Sequence, residues 1–190
     1  NHSENPFPFV LPWDDSAPGI TDFRSINHQP AGLYGYVTAG PDGHFYTSNG
    51  RIRFLGVNLT GEWCFPPSET AEDRAIVAAA VSRMAKFGVN LVRCHLFEAN
   101  FYPYGIFDKS KTTTRLLDPD AVRRLDYFVS LLKQNGIYVN MNLLAGRPFK
   151  AADGLPAEID TIPPWSIKNY IAIFYAPMIE LQKEFAQQLL

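Results

Sequence analysis

A chain of 190 residues, 46% hydrophobic and 19% charged, has the balance of a globular domain and enough length to bury a core. Its net charge of −2, with lysine and arginine dispersed, argues against a surface that tracks nucleic acid, and no apolar run approaches the roughly 20 residues of a membrane-spanning helix. Neither Cys64 and Cys94 nor the scattered His2, His28, His44 and His95 show metal-ligand spacing, so no metal and no cofactor is expected.

Residues 1–29 are rich in proline and aspartate, with aromatics at Phe7, Phe9, Trp13 and Phe23. They show neither a helical nor a strand period, which predicts an irregular arm; Asn1 to Phe9 also lacks the basic and apolar regions of a signal peptide. Short strands are expected at Tyr34 to Thr38, at His44 to Thr47 and from Arg51. Asp42-Gly43 and Asn49-Gly50 supply the positive φ of tight hairpin turns, so the three should form a small antiparallel meander. Arm and meander, 1–50, would cap a second unit, 51–190.

Ile52 to Leu59 begins in alternation and becomes continuously apolar, as a strand entering a buried sheet does. It runs into Thr60, Gly61, Glu62 and Trp63. Thr70 to Asp73 has the form of a capping box, and Ile76, Val77, Ala80, Val81, Met84 and Phe87 make one helical stripe. Gly88 stops that helix, and a buried strand near 89–95 empties into His95, Phe97 and Glu98. After a long loop, 99–117, Asp118-Pro119 reads as an N-cap with proline at the first helical position. Val122, Leu125, Val129 and Leu132 give the core face of this helix, Asn135-Gly136 stops it, and a third strand is expected near 137–144. A second long loop, 145–176, carries Arg147 and Trp165, and Pro177 opens a final helix with the stripe Met178, Leu181, Phe185 and Leu189.

This order predicts an α/β chain: the first three βα units of a (β/α)8 TIM barrel, incomplete because a full barrel takes roughly 250 residues. An open three-stranded parallel sheet leaves two edges bare, so the remainder of the barrel or another chain should cover them. Working groups in such folds stand at the carboxyl ends of the strands, which singles out Arg93 and His95.

Three segments carry a family resemblance: FLGVNLTGEWCFP, then MAKFGVNLVRCHLFE, then LDPDAVRRLDYFVSLLKQNGIYVNMNLL. In that order they resemble the opening of clan A glycoside hydrolases, most nearly the cellulase-like members of family 5. The arm PFPFVLPWDD, with DGHFY and NGRIRFLGVN, is similar to the lead-in of one bacterial group of these enzymes. The resemblance covers nearly the whole chain. It implies a secreted or periplasmic TIM-barrel enzyme that hydrolyses β-linked polysaccharide or oligosaccharide with retention. Arg93 matches the family's strand-two arginine, which hydrogen-bonds the nucleophile. The family's acid/base and nucleophile glutamates end its strands four and seven, which lie beyond this chain, and Leu144 stands where members commonly place a histidine. The chain is therefore expected to be the N-terminal portion of a glycoside hydrolase and inactive alone. The alternative is a non-catalytic carbohydrate-binding or scaffold fragment. A nucleotide-binding domain is disfavoured, since no glycine-rich phosphate loop follows a strand.

Retaining hydrolysis needs two carboxyl groups about 5 to 5.5 Å apart. Glu62 and Glu98, at adjacent strand ends, are the local candidates, against the commoner reading of solvated loop carboxylates. An arginine in a buried strand needs a carboxylate, so Arg93 either serves the site or makes a structural ion pair. His95 is a sugar contact or a satisfied histidine, and Asn58, Asn140 and Asn142 should bridge strands. Trp63, Tyr102, Tyr104 and Trp165 follow strands and would stack on pyranose faces or pack their own loops. Cys64 and Cys94 fall at neighbouring strand ends and are either a disulfide or two partly buried thiols.

Overall fold

The computed structural model describes residues 11–15, 17–99, 105–163 and 166–190. Among these residues the helices are α1 Ala71–Lys86, α2 Pro119–Gln134, α3 Ser166–Phe174 and α4 Ala176–Leu189. The strands β1 Thr38–Ala39, β2 Phe45–Thr47 and β3 Gly50–Ile52 form an antiparallel sheet in that order. β4 Gly56–Thr60, β5 Leu91–His95 and β6 Tyr138–Met141 form a separate parallel sheet.

This architecture overturns the expected barrel. Among the described residues there are two small three-stranded sheets and no barrel-type succession of βα repeats. Among the described residues, β6 is followed by short 3-10 turns and two helices, not by another strand. Three strands do not close on themselves; small closed barrels take about eight.

The stretch expected to be one strand, 52–59, is also divided. Ile52 ends β3, Gly56 begins β4, and residues 53–55 belong to neither sheet. Asn90, 8% exposed, makes the break. Its Oδ1 accepts from the Leu55 amide at 2.8 Å, its Nδ2 donates to the Arg53 carbonyl at 2.8 Å, and its own amide donates to the Leu55 carbonyl at 3.0 Å. A side-chain amide thus satisfies main-chain groups that a ladder would otherwise hold.

The helices start and stop where their caps dictate. The Thr70 hydroxyl accepts from the Asp73 amide at 3.2 Å, and the Asp118 carboxylate accepts from the amides of Asp120 and Ala121 at 2.8 and 3.2 Å. Past α1 and α2, Gly88 and Gly136 take φ of 80° and 78°. The amides of Val89 and Ile137 then donate back to the carbonyls of Met84 and Leu132, closing each helix in the same way.

One face of the parallel sheet presents Val57, Leu59, Val92, Cys94, Val139 and Met141 to the core. Against it lie Val81 and Ala85 of α1 and Leu125, Phe128 and Leu132 of α2, joined by Phe185 of α4. A smaller core gathers Phe149, Leu155 and Ile159 with Ala172, Met178 and Leu181. Asp153 is buried between the two loops that bound it. Burial would raise its carboxyl, but the amides of Thr114 and Lys150 and the hydroxyls of Thr113 and Thr114 outweigh that and hold it below the ordinary value.

Two predictions follow from these contacts. A Cβ at Gly136 would stand 2.7 Å from the His28 carbonyl oxygen at positive φ, whereas one at Gly32, φ +82°, meets open space. Gly32→Ala should cost about 1 kcal/mol in urea unfolding and Gly136→Ala about 3 kcal/mol; equal costs would mean that the arm does not dock there. Asp153 is more acidic folded than its ordinary 3.8, so its contribution is complete above that value and is lost as pH falls through the lower folded pKa. Asp153→Asn should therefore cost about 2 kcal/mol at neutral pH, and the gap from wild type should close below pH 3.8.

Candidate functional site

Side chains alternate along a strand, so the residues between the core positions face the other way. In the parallel register Asn58 lies opposite Arg93 and Arg93 opposite Asn140, while Thr60 lies opposite His95. All of these belong to the second face of the sheet, which α1 and α2 do not cover; Asn58, Arg93 and Asn140 are exposed.

Arg93 is the centre of this face. Its Nε donates to Asn142 Oδ1 at 2.5 Å and its Nη1 to Asn58 Oδ1 at 3.3 Å, and Asn58 Nδ2 donates to Thr60 Oγ1 at 2.9 Å. One guanidinium thereby ties β4 to the residue following β6. The expectation that burial forces a carboxylate onto Arg93 does not apply, because its parity turns it toward solvent.

At the carboxyl end of the face, Arg93, His95, Asn142, Leu144, Asn169 and Tyr170 line a cleft of about 400 Å³. His95 Nδ1 and Asn169 Oδ1 are buried and have no hydrogen-bond partner among the described residues. Asn169 is fixed by its other amide atom, Nδ2, which donates to the Ala145 carbonyl at 2.7 Å. Leu96, the residue after His95, has φ of 58°. A branched side chain in the left-handed region is strained, and such strain gathers at functional strand ends.

The two candidate carboxylates are not brought together as an acid and a nucleophile. Glu62 lies in the 3-10 turn Gly61–Cys64 and is exposed. Glu98 is fully buried rather than solvated. Its Oε1 accepts from the amides of Ala145 and of Gly146, the latter at 2.7 Å, so one oxygen is committed to holding a loop. Its Oε2 has no partner among the described residues.

Trp63, 72% exposed, stands beside Glu62 past β4. Tyr102, Tyr104 and Trp165 lie outside the described residues. Asn169 and Tyr170 belong to α3, which falls within the stretch expected to be a loop. In the sequence only an amide next to an aromatic at 169–170 marks them.

Cys64 and Cys94 are free and fully buried, which decides between the two alternatives in favour of thiols. Cys64 Sγ donates to the Leu59 carbonyl at 3.5 Å and approaches the His95 carbonyl at 4.0 Å. Its contact with Cys94, together with burial, pushes the Cys64 thiol up and keeps it protonated. No cluster of three or more metal-ligating side chains occurs among the described residues, and no described helix is long and apolar enough to cross a membrane.

Comparison with protein-family models, with curated proteins and with solved structures returned no match. The functional reading therefore rests on the residues themselves.

A thiol reagent should find no reactive cysteine in the native protein and two after unfolding without reductant. Two unreactive cysteines in the unfolded chain would mean a disulfide, and rapid native labelling would mean that the strand ends open.

Proposed function

We propose that this chain is the sugar-holding, amino-terminal portion of a glycoside hydrolase that acts on β-linked polysaccharide or oligosaccharide with retention. Its two catalytic glutamates lie outside the chain. The observation that carries this reading is Arg93, clamped by Asn58 and Asn142 on an open sheet face beside the unpartnered His95 Nδ1 and Asn169 Oδ1.

A saccharide is a dense array of hydroxyls, each both donor and acceptor. The cleft offers donors on Arg93, two of whose five N–H groups are engaged among the described residues. Exposed Trp63 and Tyr170 supply flat faces for the apolar side of a pyranose ring. The resemblance of the Arg93 strand to the cellulase-like family points the same way. A polymeric substrate implies action outside the cytoplasm, in a secreted or periplasmic setting.

The chain's own part in the chemistry is to bind and orient. Retention needs a carboxyl pair in one cleft, and Glu98 is buried and engaged with main-chain amides. The same commitment of Glu98 favours, as a second reading, a binding fragment with no hydrolytic role.

Calorimetry with a β-1,4-linked gluco-oligosaccharide tests the proposal. Binding is expected, and Arg93→Ala and Trp63→Ala should each weaken it about tenfold. No binding would overturn the sugar reading. Aryl glycosides should not be cleaved above a Glu62→Ala/Glu98→Gln control; cleavage abolished in that control would put the catalytic pair inside the chain.

A further inference from the structure

A second cleft, of about 290 Å³, opens between the loop following β5 and the strap following β6. Lys109, Lys111 and Lys150 line it, with Asp108, Thr113 and Pro148. Among the described residues of its lining three lysines stand against one acidic residue, Asp108, while the carboxylate of Asp118 acts on Lys109 from outside that lining. In a chain of net charge −2, that is a local reversal of sign.

The carboxylate of the lining is turned to its own loop. Asp108 accepts from the Ser110 hydroxyl at 2.7 Å and the Ser110 amide at 2.9 Å, and these bonds hold its carboxyl below the usual range. Burial acts on Lys109 in the opposite sense to its charge and pulls its ammonium below the ordinary value.

The walls are preformed. Thr113 Oγ1 donates to Asp153 Oδ1 at 2.7 Å and Thr114 Oγ1 to Asp153 Oδ2 at 2.8 Å, which locks the lysine-bearing loop onto the strap. Lys150 is tied to the same carboxylate through its amide, at 2.9 Å. A site whose walls are fixed beforehand loses less freedom on binding. This cleft also adjoins the first one along the chain. Ala145 lines the sugar cleft and Pro148 the lysine cleft, separated by at most about 10 Å of extended backbone.

We infer that the lysine cleft binds the carboxylate of an acidic sugar unit, so that the polysaccharide recognised by this chain carries uronate residues. This rests on the carbohydrate reading of the neighbouring cleft and adds a substrate class to it. Lys111 and Lys150 supply the charge that separates a uronate from the neutral sugar of the same shape.

Calorimetry on the 190-residue chain at low salt, with an oligoglucuronate, a neutral gluco-oligosaccharide of equal length and inorganic phosphate, tests the inference. The oligouronate should bind at least tenfold more tightly than the neutral sugar, and added salt should erode that margin. Lys111→Gln/Lys150→Gln, with unchanged thermal unfolding, should abolish the margin and leave the neutral sugar's affinity as it was. Equal affinities in wild type, or a margin that survives the double substitution, overturn the acidic-sugar site while the carbohydrate reading stands. Lysine-dependent binding of phosphate without any uronate margin overturns the sugar-acid assignment. If neither oligosaccharide binds, both readings fall together.

Discussion

The backbone from Ala145 to Asp153 is buried at Gly146, Arg147, Phe149 and Asp153, where its polar groups must find partners without water. Buried charged side chains supply those partners. Glu98 takes the amides of Ala145 and Gly146, Lys168 donates to the Phe149 carbonyl at 2.8 Å, and Asp153 receives the Lys150 amide. Arg147, itself in the strap, donates to Thr114 Oγ1, to the Thr114 carbonyl and to the Leu181 carbonyl at 3.1, 3.0 and 2.6 Å. Its guanidinium lies over the rings of Phe149, Phe107 and Phe185, with centroids 4.9, 5.2 and 5.7 Å away. Burial pulls it down to about 10, which leaves it a cation at neutral pH. Desolvating a charge costs several kcal/mol; here carbonyl oxygens and aromatic faces, each worth about 1 to 2 kcal/mol, offset that cost.

Both clefts depend on this strap. Leu144 and Ala145 wall the first, Pro148 and Lys150 the second, and Asn169 of α3 is pinned to the Ala145 carbonyl. The fit is tight at one point in particular. A Cβ on Gly146 would lie 2.6 Å from Leu96 Cδ2 and 2.9 Å from Ala99 Cβ, so the strap can pass only with a bare backbone there. Leu96 is the strained residue that follows His95. The positions of the cleft residues and the course of the strap are therefore one packing problem.

What the sequence revealed was local. Asp118-Pro119, Thr70, Gly88 and Gly136 mark helix ends through their own side chains or backbone freedom, and Asp42-Gly43 and Asn49-Gly50 turn the meander where expected. What it concealed depended on distant partners. Nothing near Leu55 announces that Asn90, 35 residues on, will take its amide and break a strand. Helix α3 was hidden because its polarity is inverted: Lys168 and Ala172 are buried while Ile167, Tyr170, Ile173 and Phe174 are exposed. Glu98 and Arg93 exchanged roles for a related reason. Charge alone suggested that the strand arginine was buried and the loop glutamate wet, whereas strand parity and the strap's unsatisfied amides decided the reverse. That the described residues would form two small sheets and no barrel, the most distant property of all, had no local mark.

The alternation along β5 has a consequence for how the protein can change. Val92 and Cys94 belong to the core and Arg93 and His95 to the clefted face, with one Cα step between each pair. A substitution at any of these positions alters either the core or the clefted face, and the two kinds of change can accumulate independently. A single-residue insertion or deletion in the strand cannot be so divided. It would present Arg93 to the helices and Cys94 to the solvent in one step, so this part of the chain can drift by replacement but not by change of length.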